Sequence, residues 1–197
     1  MAGMFSFSIK TRDIVIAALC GAINAVLQIV STFFTPIPGL SVLYPPSGFG
    51  AATAVWFGFW GWVGAVLGTL FAAPYWGYSM PVAVLFGVLT PWEVLIASLL
   101  RRNFDPTLKN KRSLGMFIGL VVILGTFLDA LFGMLVSIYV GYYTPDFAFT
   151  VAIWPWWLAD AVAAFVIGIF LLRVLTPYVK RMGLFYEGFF ARKIERS

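Results

Sequence analysis

The thirteen Lys and Arg residues fall into three clusters, and the long stretches between clusters contain no basic residue. Lys10 and Arg12 lead the chain. Arg101, Arg102, Lys109, Lys111 and Arg112 form a middle cluster, and Arg173, Lys180, Arg181, Arg192, Lys193 and Arg196 close it. A soluble domain needs a largely polar surface, and residues 13–100 cannot supply one. Only 11% of all residues are charged while 61% are hydrophobic, with mean hydropathy +0.94. Such a chain is an all-α integral membrane protein, multi-pass in a cell membrane.

A bilayer core of about 30 Å takes about 20 helical residues. Four spans are evident: Ile14 to Phe34, Val82 to Leu100, Leu114 to Tyr142 and Ala152 to Leu175. The stretch from Gly39 to Tyr78 reads either as one helix, Phe49 to Ala73, or as two, Gly39 to Phe59 and Gly61 to Tyr78. Short cytoplasmic loops collect Lys and Arg. Five spans would put the middle basic cluster outside, whereas six put all three clusters inside, with both termini cytoplasmic. Six transmembrane helices are therefore expected, with a tight turn at Gly58-Phe59-Trp60-Gly61. The second span then contains Pro45-Pro46 and should be broken near its outer end. Irregular backbone at membrane depth is tolerated only when buried in protein or lining a cavity, so this break points to a site.

The apolar run after Arg12 is too long for a cleaved signal and lacks a small-residue cleavage site. A lone cysteine, Cys20, precludes an internal disulfide. With no histidine, a His- or Cys-ligated metal centre is excluded, and no cofactor is expected. No phosphate-binding glycine loop is present. The net charge of +5 follows from the positive-inside clusters and implies no nucleic acid. The organisation expected is one transmembrane domain over residues 1–175 and a cytoplasmic amphipathic tail over 176–197, whose apolar and basic residues alternate and suit membrane lipid.

Small residues four apart, Ala18 with Ala22 and Ala17 with Gly21, recur as Gly61 with Ala65 and Gly64 with Gly68. This spacing flattens a helix stripe for close packing, within the chain or against a partner. Three acids lie inside spans: Glu93, Asp129 and Asp160. Glu93 is within two turns of Arg101 and Arg102 and reads as a structural pair. Asp129 and Asp160 have no basic residue nearby in sequence. Each could contact a substrate, be a capped structural carboxylate, or bond a neighbouring helix when protonated. Aromatic residues make up 18% of the chain. Many belong to interfacial belts, yet Tyr44, Trp76, Tyr139, Trp154 and Trp157 crowd the expected outer ends. With a buried carboxylate they would suit a flat, cationic aromatic ligand.

The run Lys10-Thr11-Arg12-Asp13-Ile14-Val15-Ile16-Ala17-Ala18-Leu19-Cys20-Gly21-Ala22, the Pro-rich loop after it, and Phe57-Gly58-Phe59-Trp60-Gly61-Trp62-Val63-Gly64 resemble the S component of energy-coupling factor (ECF) transporters. That resemblance implies a vitamin-like small molecule captured at the outer face. It also implies a coupling subunit docked on Ala18 and Ala22, and two ATPase subunits. A second resemblance rests on Leu43-Tyr44-Pro45-Pro46-Ser47-Gly48, Gly64-Ala65-Val66-Leu67-Gly68, Trp156-Trp157-Leu158-Ala159-Asp160-Ala161 and Thr176-Pro177, which look like the MASE1 membrane sensor domain. That implies a sensory or scaffolding module without transport. Both resemblances put Pro45-Pro46 and Asp160 at or near the site, and neither implies an enzyme. The expected function is importer-type substrate binding, with Tyr44, Trp76, Asp129, Tyr139, Trp154, Trp157 and Asp160 contacting the ligand; the MASE1-like sensor is the alternative.

Overall fold

The computed structural model describes residues 9–37, 39–103 and 105–185. Helix α1, Thr11–Ser31, begins where the Asp13 carboxylate accepts the Lys10 N–H at 3.0 Å, a favourable use of an acid in a first turn. A 3₁₀ turn continues it through Phe34. The irregular stretch that follows ends at α2, Pro45–Phe57. The expected second span is broken at its outer end: residues 39–44 are irregular, and Pro45 and Pro46 begin the helix, since the first helical positions need no intrahelical N–H partner.

Helix α2 is the hub of the bundle. Residues Gly50 to Trp56 are buried on every side, with Ala51, Ala52, Ala54 and Val55 at 0% exposure. A helix apolar all round belongs inside. At 13 residues it is about 20 Å long, short of the bilayer core. Gly58, at φ +62°, reverses the chain into α3, Phe59–Ala72. A Cβ on Gly61 would lie 2.6 Å from the Ala54 nitrogen, so the hairpin closes only with glycine there.

Small residues then let α3 pack along α1. A Cβ on Gly64 would meet Cys20 Cβ at 2.5 Å, and one on Gly68 would meet Asn24 Cβ at 2.7 Å. The two helices therefore run parallel, with α2 returning between them. The Ala17/Gly21 stripe is consumed by this internal contact, whereas Ala18 and Ala22 face outward and are exposed.

Helices α4, Met80–Leu89, and α5, Trp92–Leu100, form one apolar rod interrupted at Thr90-Pro91. Proline removes a backbone donor and breaks the ladder there. Two long helices complete the bundle: α6, Lys111–Tyr139, and α7, Pro145–Arg181. Each has wide π-helical stretches, Phe117–Gly125 in α6, Ala148–Ala152 and Ala164–Gly168 in α7. Position 176, where the tail is expected to start, lies inside α7. Thr176 and Val179 are buried there, and residues 186–197 of the expected tail lie outside the described residues.

Among the described residues, four helical rods are long and apolar enough to cross a membrane: Thr11–Phe34, Met80–Leu100, Lys111–Tyr139 and Pro145–Arg181. Their outward faces carry exposed Leu19, Val26, Leu99, Val162 and Phe170, side chains suited to lipid. One core surrounds α2, where Val55, Val94, Phe117, Val121 and Leu172 meet. In it the Trp56 indole N–H donates to Thr176 Oγ1 at 2.9 Å. A second core, Leu40, Met134, Ala152 and Ile153, lies at the other end.

Contacts gather the basic clusters at one end. Arg12 donates to the Leu184 carbonyl at 2.9 Å, Arg101 packs on Gly58, and Arg173 donates to the Leu108 carbonyl at 3.4 Å. At the opposite end Ser41 Oγ donates to the Ser31 carbonyl at 2.9 Å, and Tyr78 stacks on Tyr142.

Candidate functional site

The site lies toward the end away from the basic clusters and has two adjoining chambers. The outer, of about 50 Å³, is bounded by the 39–41 stretch, Tyr44, Trp76, Tyr78, Phe86, Trp156 and Asp160. The inner, of about 40 Å³, is bounded by Asn24, Ser47, Glu93, Asp129 and neighbours. Gln28, Tyr44, Thr69, Thr90 and Trp156 line both, so the chambers share a wall. The irregular chain before α2 thus lines a cavity through Gly39, Leu40, Ser41 and Tyr44.

Local structure positions each group. Proline at the start of α2 fixes Tyr44 and Ser47 at the cavity edge. The break at Thr90-Pro91 starts α5 anew, and Glu93 in its first turn faces α2. The Ser47 hydroxyl donates to Glu93 Oε1 at 3.0 Å. Arg101, eight positions on, has its guanidinium against Gly58, so the local pairing expected from sequence gives way to a contact between α2 and α5. Close packing enforces it: a Cβ on Gly50 of α2 would sit 2.8 Å from Val94 Cγ2 of α5.

Asp129 on α6 and Asp160 on α7 are in hydrogen-bond contact with each other, and Thr90 reaches Asp129 as well. The Trp156 indole N–H donates to Asp129 Oδ2 at 3.0 Å. A Cβ on Gly133 would lie 2.8 Å from the Trp156 ring, so that glycine admits the indole against α6. Beside the acids, Gln28 Nε2 donates to Asn24 Oδ1 at 2.8 Å and to Thr69 Oγ1 at 3.0 Å, tying α1 to α3.

All three acids are buried: Glu93 at 4%, Asp129 at 5% and Asp160 at 1% exposure. One oxygen of two of them, Glu93 Oε2 and Asp160 Oδ2, has no hydrogen-bond partner among the described residues. A charged acid at the centre of a span costs about 2.5–3.5 kcal/mol on insertion scales, which marks such residues as functional or paired. Among the described residues, no three His, Cys, Asp or Glu side chains are placed to hold a metal ion.

Of the residues expected from sequence, Tyr44, Trp76, Asp129 and Asp160 line the cavity. Trp157 turns away, meeting Phe127 edge-on and donating to the Ile123 carbonyl at 3.3 Å. Tyr139, at 82% exposure, and Trp154, at 54%, face outward as belt residues do. Sequence reasoning read Glu93, an acid within a span, as a structural pair, and missed Ser47, Thr90 and Trp156 as cavity residues. Trp156 carried a signal, four positions before Asp160 and so on the same helix face.

The MASE1 family profile matches residues 14–190, nearly the whole chain. No curated protein and no solved structure matches the chain. The resemblance to ECF S components finds no support in these comparisons.

Proposed function

The chain belongs to the MASE1 family, a multi-span membrane sensor domain, and on that premise we propose that it binds a small polar molecule from the outer side of the membrane and passes the bound state to its inner end. The observation that carries this reading is the convergence of Glu93, Asp129 and Asp160, from three different helices, on two adjoining chambers that share Tyr44 and Trp156. A few polar groups in an otherwise apolar pocket is the usual form of a ligand site.

Six crossings with both termini cytoplasmic fit this reading. The parallel course of α1 and α3 requires α2 to return between them, and the basic clusters gather at one end as the positive-inside rule demands. A ligand reaching Asp160 would bear on α7, whose π-helical stretches flank that residue. Such stretches are frequent at functional sites. From Asp160, α7 runs to the inner end, where Thr176 donates to the Pro106 carbonyl at 3.2 Å. Ligand binding biases the signal only insofar as it favours one arrangement of α7 over another.

Native mass spectrometry of the chain gently extracted from its source membrane tests the proposal. A retained small molecule that is lost on Asp160→Asn is the expected result. Retention of a coupling subunit and ATPases would overturn the sensory reading in favour of the importer. An Asp160→Asn protein that retains the molecule fully would refute the site.

A further inference from the structure

We infer that the cavity takes a small alkylammonium ion, held between the buried carboxyls of Asp160 and Glu93 and the aromatic walls of the outer chamber. This rests on the sensory-binding reading above and adds the chemical class of the ligand.

The unpartnered oxygens come first. Asp160 lines the outer chamber and Glu93 the inner, and each keeps one carboxyl oxygen without a hydrogen bond while 1% and 4% exposed. Buried acceptors are normally satisfied, so two on adjoining chambers call for a donor. The helices that bear them bring no basic side chain near. Arg173 is thirteen positions beyond Asp160 on α7, about 20 Å away, and Arg101 is about 12 Å beyond Glu93. A donor carrying positive charge, supplied from outside the chain, satisfies both the hydrogen bonds and the charge.

The walls favour the same class. Trp76, Tyr78, Phe86 and Trp156 form one stack with centroids 6.5, 4.8 and 6.2 Å apart, so its end rings, Trp76 and Trp156, are the ones with a face to offer, and Tyr44 stands tilted 58° to Trp76. Aromatic faces attract an ammonium group, most strongly where water is excluded. Size then sets the limit. At about 10–15 Å³ for each water-sized group, the outer chamber holds about three to five such groups and the inner slightly fewer. That suits an amine of a few heavy atoms and replaces the flat aromatic ligand expected from sequence. The acids are not arranged as a metal-binding set among the described residues, which favours an organic cation over a divalent metal.

Tryptophan fluorescence of the whole protein in lipid nanodiscs, titrated with ethylammonium chloride against NaCl and KCl at equal ionic strength, tests this. The expected result is a saturable change with ethylammonium alone, weakened about tenfold or more by Asp160→Asn. The exposed outer-loop variant Asp146→Asn should bind as the wild type does. Trp76→Leu should also weaken binding, which keeps the test decisive if Asp160→Asn fails to fold. An equal response to NaCl or KCl, or unchanged affinity in both Asp160→Asn and Trp76→Leu, would overturn the inference. The same samples receive a small-molecule extract of the source cells. A response to extract but not to ethylammonium overturns the cation class and leaves the sensory reading standing; a response to neither overturns both.

Discussion

Substituting Gly48 by alanine isolates the packing that holds the site together. Gly48 lies on α2 next to Ser47 and against α7 three residues beyond Asp160. A Cβ there would fall 2.3 Å from the Ala163 carbonyl oxygen and 2.8 Å from Ile167 Cβ, whereas ordinary contact begins near 3.4 Å. The nearest neighbour is backbone and cannot rotate away, so α2 and α7 must part by about 1 Å. Overpacking of this kind costs about 1–3 kcal/mol, against a helix-propensity gain of about 0.5–1 kcal/mol for alanine over glycine. Gly115 provides the control, because nothing lies within 4 Å of a Cβ there and only the gain applies. Thermal unfolding in nanodiscs is the assay. At about 2–4 °C per kcal/mol for a chain of this size, Gly48→Ala should melt several degrees below the wild type and Gly115→Ala at or above it. Equal melting of both variants would refute the close approach of α2 and α7.

Trp156→Phe keeps the ring beside Phe86 but removes the donor to Asp129, and should destabilise by about 0.6–1.7 kcal/mol, the range for hydrogen bonds between membrane helices, read by unfolding in mixed micelles. Gly58→Ala forces a side chain to φ +62° and to within 3.0 Å of the Arg101 guanidinium; a loss of at least about 1–2 kcal/mol is expected in the same assay. Thr176→Val strands the Trp56 indole N–H in the core and should cost about 1–3 kcal/mol, whereas Trp56→Phe with Thr176→Val should recover part of it. At the inner end, partial burial works against the Asp105 carboxylate, but hydrogen bonds from Thr107 and the Lys109 N–H hold it below its usual value of 3.8. Its contribution is therefore present above pH about 4 and lost as the pH falls through the lowered value. The stability gap between wild type and Asp105→Asn should close on acidification, and a gap independent of pH would contradict this.

Much of the architecture was legible because lipid leaves few options. Basic clusters and 20-residue apolar runs located the four long rods, and Gly58 between two Trp- and Gly-rich segments marked the α2–α3 turn. What sequence could not resolve was direction around each helix. Tyr139 and Trp154 sit at helix ends like Tyr44 and Trp76, and nothing local distinguishes an outward ring from an inward one. Glu93 was misread for a related reason. Arg101 and Arg102 are close in sequence, yet the proline before α5 turns Glu93 toward Ser47 on α2, a partner 46 residues away. Pro45-Pro46 marked the outer limit of α2, but nothing in the sequence showed that a helix this short occupies the centre of the bundle. It can do so because other helices bury it on all sides.

Thiol accessibility tests the central claim most directly. In a Cys20→Ala background, Ser41→Cys in the wall of the outer chamber, Thr90→Cys between the chambers and Lys109→Cys at the basic end are exposed to a membrane-impermeant thiol reagent from each side in turn. The first two should react from outside only, with position 90 slower, and position 109 from inside only. Reaction of position 90 from the inside, or none at position 41 from the outside, would contradict an outward-opening cavity that reaches the buried acids.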